Sequence, residues 1–410
     1  MNPIRTIIIG AGSRGNTYAS YSKSHPDEMQ VVAVAEPHSE RRHSFAKEYN
    51  LNAEQCFSSW GNAFKQASLA DIAIIATQDQ MHVAPALAAI KIGYHVLLEK
   101  PMATTKKDCQ ILFTAAKKSD KLFGLCHVLR YTSHYQKMKE IIDSGLIGEV
   151  ITIEHLEPVN YWHMAHSYVR GNWRRLEESS PMILAKSCHD LDLIRWFADS
   201  PCKNISSFGY LTHFKENNAP EGSSHHCISD CAVEKECPYS ALKLYMNMNL
   251  TDWPVSVITN DLSKKGREKA LWEGPYGRCV YKSDNNVVDH QVVSMEFQNK
   301  VTASFTMSAF TDGHRRTRIM GTMGEIIGNF EIMTLSNFRN QKKDVVWEKC
   351  EMDEMNHGGG DFRLMKQFLK AVIENEPTLF ISSIEASLDS HLMAFAAEES
   401  RLETKVVELT

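Results

Sequence analysis

Lys100 is the side chain around which chemistry can be built. It closes the stretch Leu97-Leu98-Glu99-Lys100-Pro101, where a short apolar run stops in a charged pair and a proline. Pro101 cannot donate to a sheet ladder and biases Lys100 toward an extended backbone. The pattern sets an ammonium at the carboxyl end of a strand, where open α/β sheets hold their ligands. A second constellation precedes it. Gly10-Ala11-Gly12-Ser13-Arg14-Gly15 fits G-x-G-x-x-G, follows an apolar run and opens a helical stretch. Gly10 permits the tight turn, Gly12 lets backbone N–H groups approach a pyrophosphate, and Gly15 lets the helix pack close to the strand, with Ser13 and Arg14 in the same loop. Glu36 ends the second apolar run at the distance where an acidic residue accepts from an adenosine ribose. Its charge repels a 2′-phosphate, which favours NAD. Arg41 and Arg42 keep NADP open, because either could reach a phosphate.

Three further stretches carry binding side chains. Residues 77–82 follow the third apolar run and border the same crevice; Thr77 counts as a cofactor contact, and His82 either caps the next helix or reaches the cofactor. Residues 160–175 crowd Tyr161, Trp162, His163, His166, Tyr168, Arg170, Trp173, Arg174 and Arg175 together. Aromatic faces stack on the C–H surfaces of sugars, while His and Arg donate to hydroxyls or a carboxylate. His163, Arg170 and Trp173 are the expected substrate contacts, against the plainer reading of an aromatic packing loop. Cys227, Cys231 and Cys237 follow His225 and His226 in C-x3-C-x5-C order. Four such ligands can close a structural zinc site, but the spacing lacks a C-x2-C pair, and free thiols in a folded loop are the preferred reading. No metal is assigned to the catalytic site.

These side chains need a scaffold. Residues 4–9, 31–35, 72–76, 95–98 and 122–126 are short, nearly continuous apolar runs, the mark of parallel strands buried on both faces. Helical stretches at 39–49, 83–92 and 106–119 alternate with them and predict a doubly wound sheet. Farther on, strands are predicted at 149–159, 292–297, 301–308, 317–321, 328–335 and 344–350. Helices are predicted over 133–144, 362–374 and 383–401, with Asp361 as an N-cap. A chain of 410 residues exceeds one core, so two domains are the default. A net charge of -5 gives no basic field for nucleic acid. No apolar run approaches the roughly 18 residues that cross a bilayer. Neither a signal peptide nor a disulfide framework is legible, and the expected compartment is the cytoplasm.

Gly10–Gly15, Glu36, His82 and Glu99-Lys100-Pro101, in this order, resemble the Gfo/Idh/MocA family of nicotinamide-dependent oxidoreductases, which act mostly on sugars and cyclitols. The resemblance implies an α/β fold: an N-terminal Rossmann domain over 1–127, and an α+β domain over 128–410 with a large, mostly antiparallel sheet and a last helix returning to the first domain. It implies that Lys100 contacts the substrate hydroxyl, with Glu99 beside it on the cofactor side. Arg130 stands either facing the site or on the surface. His189 matches the family's histidine, the general base for oxidation, and Asp192 matches the aspartate three residues on; a pair at that spacing shares a helix face, so Asp192 or Asp190 would orient the imidazole. Many members carry an aspartate four residues before the histidine. Here Ala185 stands there, followed by Lys186, a second ammonium that relays protons or binds an anionic group.

The expected activity is hydride transfer between a sugar, sugar-derivative or cyclitol hydroxyl and NAD(P), with Lys100, His189, Lys186 and Asp192 as the catalytic set. The alternative is an NAD-dependent glycosidase working by transient oxidation, elimination, water addition and reduction. A non-catalytic nucleotide sensor is disfavoured by Lys100 and His189. The expected partners are a carbohydrate-like small molecule and further copies of the chain, as a homodimer or homotetramer joined through the second sheet, with neither nucleic acid nor membrane.

Overall fold

The computed structural model describes residues 2–66, 68–354 and 356–409; positions 1 and 410, the outer limits expected for the two domains, lie outside them. Six strands, β1 (Ile4–Ile9), β2 (Met29–Ala35), β3 (Cys56–Phe57), β4 (Ile72–Ile75), β5 (His95–Leu98) and β6 (Phe123–Leu125), pair in the order β3-β2-β1-β4-β5-β6. Every pair is parallel. The strand order reverses between β1 and β4, so a crevice opens there at the carboxyl ends. β4 is buried at every residue, as its unbroken apolar run requires of a strand covered on both faces. Gly10 has φ +93°, and a Cβ on it would lie 2.6 Å from the Ala76 carbonyl oxygen; one on Gly15 would lie 2.0 Å from that of Gly10. Both glycines are therefore fixed by space as well as by turn geometry.

The second sheet comprises β7 (Val150–Pro158), β8 (Cys202–Tyr210), β9 (His290–Phe297), β10 (Thr302–Ser308), β11 (Arg316–Gly321), β12 (Gly324–Gly328), β13 (Ile332–Asn337), β14 (Lys342–Glu348) and β15 (Val407–Glu408), ordered β14-β13-β12-β11-β7-β10-β9-β8-β15. Only β7 and β10 run parallel. The single strand expected over 328–335 is instead the β12–β13 hairpin: Phe330 has φ +68°, and Asn329 Oδ1 accepts from the N–H groups of Glu331 at 3.1 Å and Ile332 at 3.0 Å. An asparagine that bonds the backbone two residues on makes a turn without glycine. Residues 160–175 also depart from the expected loop. They form a short helix, Tyr161–His163, continued as a buried π-helix, Met164–Arg170.

Two helices of the second half return to the first sheet. Leu364, Met365, Phe368 and Leu369 of helix Gly360–Ile373 pack with Ile8, Val34 and Leu97, and Ile384 of helix Ile384–Glu403 packs with Ile75 and Leu98. Asp361 lies in the first turn of its helix, and Gly359 is the N-cap. Among the described residues, no helix is long and apolar enough to cross a membrane.

The close approach at Gly15 is testable. Gly15→Ala puts a methyl group into the Gly10 carbonyl and should destabilise the chain by about 1–3 kcal/mol. Urea unfolding should show this as a lower midpoint with an unchanged slope.

Candidate active site

The glycine loop, the end of β2 and the end of β4 shape one side of the crevice. Both Glu36 carboxylate oxygens accept backbone N–H groups, from Ala11 and from His38, each at 2.9 Å, and the side chain is buried. Thr77 Oγ1 is buried with no hydrogen-bond partner. The space a Cβ on Gly12 would enter holds only the Arg41 Nη1 atom, 4.0 Å away. An open turn, an orphaned hydroxyl and an acid at the end of β2 fit a dinucleotide. Arg42 is held by the Glu36 and Pro37 carbonyls at 2.5 and 3.1 Å, which leaves Arg41 as the arginine over the loop. His82 stands at an N-cap position but makes no side-chain cap. Its Nδ1 lies 2.7 Å from the Pro101 carbonyl oxygen and its Nε2 3.1 Å from that of Thr77; both oxygens are acceptors, so a single N–H of the buried ring serves the shorter contact to Pro101 and ties the segment after β4 to the loop after β5.

Arg14 turns away from the open turn and into an ion-pair cluster. Its Nε donates to Glu99 Oε1 at 2.6 Å, its Nη2 to Asp361 Oδ1 at 2.5 Å, and Tyr18 also bonds both Arg14 and Glu99. Burial alone would raise the Glu99 carboxyl, but Arg14 and Lys100 hold it below the usual range. Glu99 also accepts the Lys100 backbone N–H at 2.8 Å. Glu99 thus fastens the glycine loop to the lysine strand, a role that motif spacing did not reveal. Tyr18 and Asp361 carried no site signal of their own.

Across the crevice, Lys100 Nζ donates to the Ala185 carbonyl oxygen at 2.9 Å. Where the resemblance led to the expectation of a carboxylate, at Ala185, the chain offers the terminal carbonyl of helix Met182–Ala185. His189 lies in helix Cys188–Ala198 with Nδ1 buried and unpartnered. Burial, then Lys100 and His127, hold its imidazole well below the ordinary value, so it is neutral at neutral pH. Asp192 does not orient it. Arg130, buried rather than facing the site or solvent, takes Asp192 in a two-pronged pair, Nε–Oδ2 2.6 Å and Nη2–Oδ1 2.7 Å. A bidentate guanidinium outcompetes the shared helix face. Asp190 is likewise taken, by His155 at 2.9 Å and Arg315 at 2.7 Å. The neighbour of His189 is instead His127, edge-on with ring centroids 5.9 Å apart and neither nitrogen hydrogen-bonded.

A pocket of about 290 Å³ opens beside this group. Lys186 and His357 are in its wall; Lys100 lies behind it, bonded to Ala185 next to Lys186, and His189 lies behind His357, ring centroids 6.5 Å apart. His163, Arg315, Asn160 and Asp353 line the rest. Lys186 Nζ pairs with Glu157 at 3.3 Å, and Arg315 pairs with the same carboxylate at 2.5 Å. Burial lowers the Lys186 ammonium, Glu157 pulls it back up, and Arg315 and Lys100 lower it again, leaving it below the usual lysine value. Arg170 is not in this wall. It is buried, donating to the carbonyls of Arg278 at 2.7 Å and Tyr239 at 2.8 Å. Trp173 Nε1 donates to Asp79 at 3.0 Å, which pins its segment to the loop after β4. Arg315, Glu157 and His127 were not anticipated, since each comes from an element with no motif of its own; His357 opens the glycine run 358–360, expected as a loop-to-helix hinge, not as part of this wall. Among the described residues, no three His, Cys, Asp or Glu side chains are arranged to hold a metal.

Comparison with known proteins bears on this crevice. Residues 4–127 match a family model described as the GFO_IDH_MocA oxidoreductase family, NAD-binding Rossmann fold, and residues 139–409 match the C-terminal alpha/beta domain of that family. A Bacillus subtilis protein named as an oxidoreductase, YteT, is 26% identical over 320 residues, covering 73% of this chain and 72% of that protein. The 2,7-anhydro-N-acetylneuraminate hydratase of Escherichia coli is 28% identical over 203 residues, about half of each chain (49% and 51%). A solved levoglucosan dehydrogenase, in complex with NADH and L-sorbose, superposes with a TM-score of 0.74 at 16% identity over 100% of both chains; that likeness bears on the fold alone.

The buried histidines predict an acid-labile fold. Burial holds His134, His166 and His391 at about 3 and keeps His127 and His189 well below the ordinary value. These groups take up protons on unfolding, so stability is full above about pH 6.5 and falls as the pH drops below it. His134 stacks on Phe330 with neither ring nitrogen bonded. His134→Phe should therefore flatten the stability–pH slope between about pH 6 and 4 by about 1.4 kcal/mol per unit, read from denaturant titrations at each pH.

Proposed function

Because the chain belongs to the Gfo/Idh/MocA oxidoreductase family, we propose that it transfers a hydride between a secondary hydroxyl of a sugar, sugar derivative or cyclitol and NAD. One observation carries this reading: Lys100, bonded to the Ala185 carbonyl, brings a strand-end ammonium beside Lys186 and His189, at the edge of a polar pocket. The name of one similar protein, the 2,7-anhydro-N-acetylneuraminate hydratase, supports a sugar-like substrate.

NAD, when bound, supplies the carbon that accepts the hydride. Gly10, Gly12, Ser13 and Gly15 would take its pyrophosphate, Glu36 its adenosine ribose, and Thr77 a polar group deeper in the crevice. Arg14 and Glu99 act on the cofactor only through the shape of the loop, and His82 through the position of Thr77. The Glu36 carboxylate favours NAD; Arg41 is the group that would admit a 2′-phosphate. His189, neutral and buried at Nδ1, takes the hydroxyl proton at Nε2. The Lys100 ammonium stabilises the alkoxide that forms as the proton leaves. His163 and Lys186, in the pocket wall, bind the remaining hydroxyls. Asp192 contributes indirectly, as the counter-charge of Arg130.

Lys186 favours a second reading. A mostly buried ammonium beside Lys100 is more acid–base equipment than hydride transfer alone needs. A redox-neutral cycle needs it: once a ring hydroxyl is oxidised, a base can remove the neighbouring C–H proton, a glycosidic leaving group departs, water adds and the hydride returns. Reduced cofactor accumulating over a panel of polyols and sugars supports the first reading; aglycone release with no net reduced cofactor supports the second. In either case Lys100→Met and His189→Asn should lower kcat about 10²- to 10⁴-fold while leaving the Kd for NAD unchanged. Unchanged kcat in both variants would overturn both readings.

The outer face of the second sheet is the proposed contact between copies of the chain. Phe208 and Val292, paired across β8 and β9, are 57% and 43% exposed. Phe208→Glu should shift the assembly to monomer in light scattering, and a monomeric parent chain would count against this interface.

A further inference from the structure

Residues 211–289, inserted between β8 and β9, contribute no strand to either sheet. Their separate core is thin: Cys227, Ala241, Tyr245, Val255 and Leu271 are its buried members, while Phe214, Tyr239, Cys279 and Val280 join the core of the second sheet. A lobe of this size without a sheet usually needs a covalent or metal staple. Four cysteines face one small internal cavity there: Cys227, Cys231, Cys237 and Cys279. The first three come from the C-x3-C-x5-C run. The fourth lies more than forty residues downstream, where sequence spacing gave no cue. The backbone holds it in register: Cys279 N donates to the His225 carbonyl at 2.8 Å, Cys227 N donates to the Gly277 carbonyl at 2.8 Å, and His226 bridges to Arg278. All four are free thiols.

A second, independent observation asks for negative charge at this place. Arg170 is 1% exposed, and among the described residues its guanidinium meets no carboxylate. It donates to the carbonyls of Arg278 and Tyr239, and its Nη2 lies 3.6 Å from Cys227 Sγ. A buried cation with only neutral partners is costly. Thiolates would supply the missing counter-charge.

We propose that Cys227, Cys231, Cys237 and Cys279 bind one structural zinc ion, with Arg170 as the outer-shell donor to its thiolates. Binding converts four thiols and one Zn²⁺ into a tetrathiolate centre of net charge −2, with the release of four protons. The N–H···S bond from Arg170 is the kind of outer contact that orients a ligand sulfur. Cavity size selects a single ion: about 10 Å³ is room for one water-sized sphere, far below what an iron–sulfur cluster needs. The thiols line the cavity without already standing at metal-ligand positions, so binding the ion requires their side chains to re-orient toward the cavity. His225 and His226, which the sequence offered as partners, are not among the residues lining it.

The test uses the full chain, purified without chelator from zinc-supplemented growth and assayed by inductively coupled plasma mass spectrometry. The expected result is about one zinc per chain. A mercurial should release it as the thiols are modified, and a zinc chelator should lower the thermal midpoint. Cys279→Ser should lose the metal, whereas Cys56→Ser, outside the cluster, should keep it. NAD binding, followed by cofactor fluorescence, should persist in the wild type after zinc removal, which separates this site from the catalytic crevice. Three results would overturn the proposal: wild-type chain without stoichiometric zinc, iron with acid-labile sulfide in its place, or Cys279→Ser retaining full zinc. The wild-type metal content decides the matter even if the serine variant fails to fold.

Discussion

The arrangement of the crevice depends on Arg14. One guanidinium joins the glycine loop, the end of β5 through Glu99, and helix Gly360–Ile373 through Asp361. The two carboxylates are almost wholly buried, so each needs the arginine more than the arginine needs either. Taking away one partner of such a pair costs about 3–5 kcal/mol, because a charge is left in a dry place. The loop that approaches the cofactor, the strand that carries Lys100 and a helix contributed by the far end of the chain are therefore assembled together or not at all. The glycine pattern is usually read for its backbone; here its fifth position, Arg14, is the electrostatic anchor.

Much of the scaffold was legible from the chain alone. The five longer strands of the first sheet announced themselves as unbroken apolar runs, because parallel strands are buried on both faces. β3 did not, since two residues make no pattern. The β12–β13 hairpin was read as one strand because its turn uses Asn329 and Phe330 in place of glycine. The site divides in the same way. Lys100, Lys186 and His189 could be located because each sits in a local motif. Their partners could not, because pairing is decided by side chains that converge from distant segments. Asp192 shares a helix face with His189, yet its partner is Arg130, sixty-two residues earlier. Arg170 read as a substrate ligand by composition, but its π-helix turns it into the inserted lobe.

The second domain meets the crevice with an interior rich in neutral imidazoles. His127, His189 and His391 lie in a row of ring contacts about 5.9 Å apart, and His155 carries Asp190. Burial keeps His127, His189 and His391 uncharged, so the positive charge around the pocket comes from Lys100, Lys186, Arg315 and Lys349. Glu157 and Asp190 balance Lys186 and Arg315. The Lys100 ammonium has only a carbonyl as hydrogen-bond partner, which leaves its charge available for an oxyanion.

The rivet made by His82 has a mechanical consequence. Seated after β4 and bonded to the Pro101 carbonyl, it ties the loops after β4 and β5 together, so Lys100 moves with the first sheet. His189 and Lys186 move with the second. The three side chains proposed for catalysis are thus divided by a seam, and among them the bond from Lys100 to the Ala185 carbonyl is what crosses it. Any parting of the two halves wide enough to exchange a dinucleotide would pull the lysine from the histidine. Under the proposed function, the open state would be chemically silent and the proton relay complete only while the halves are shut.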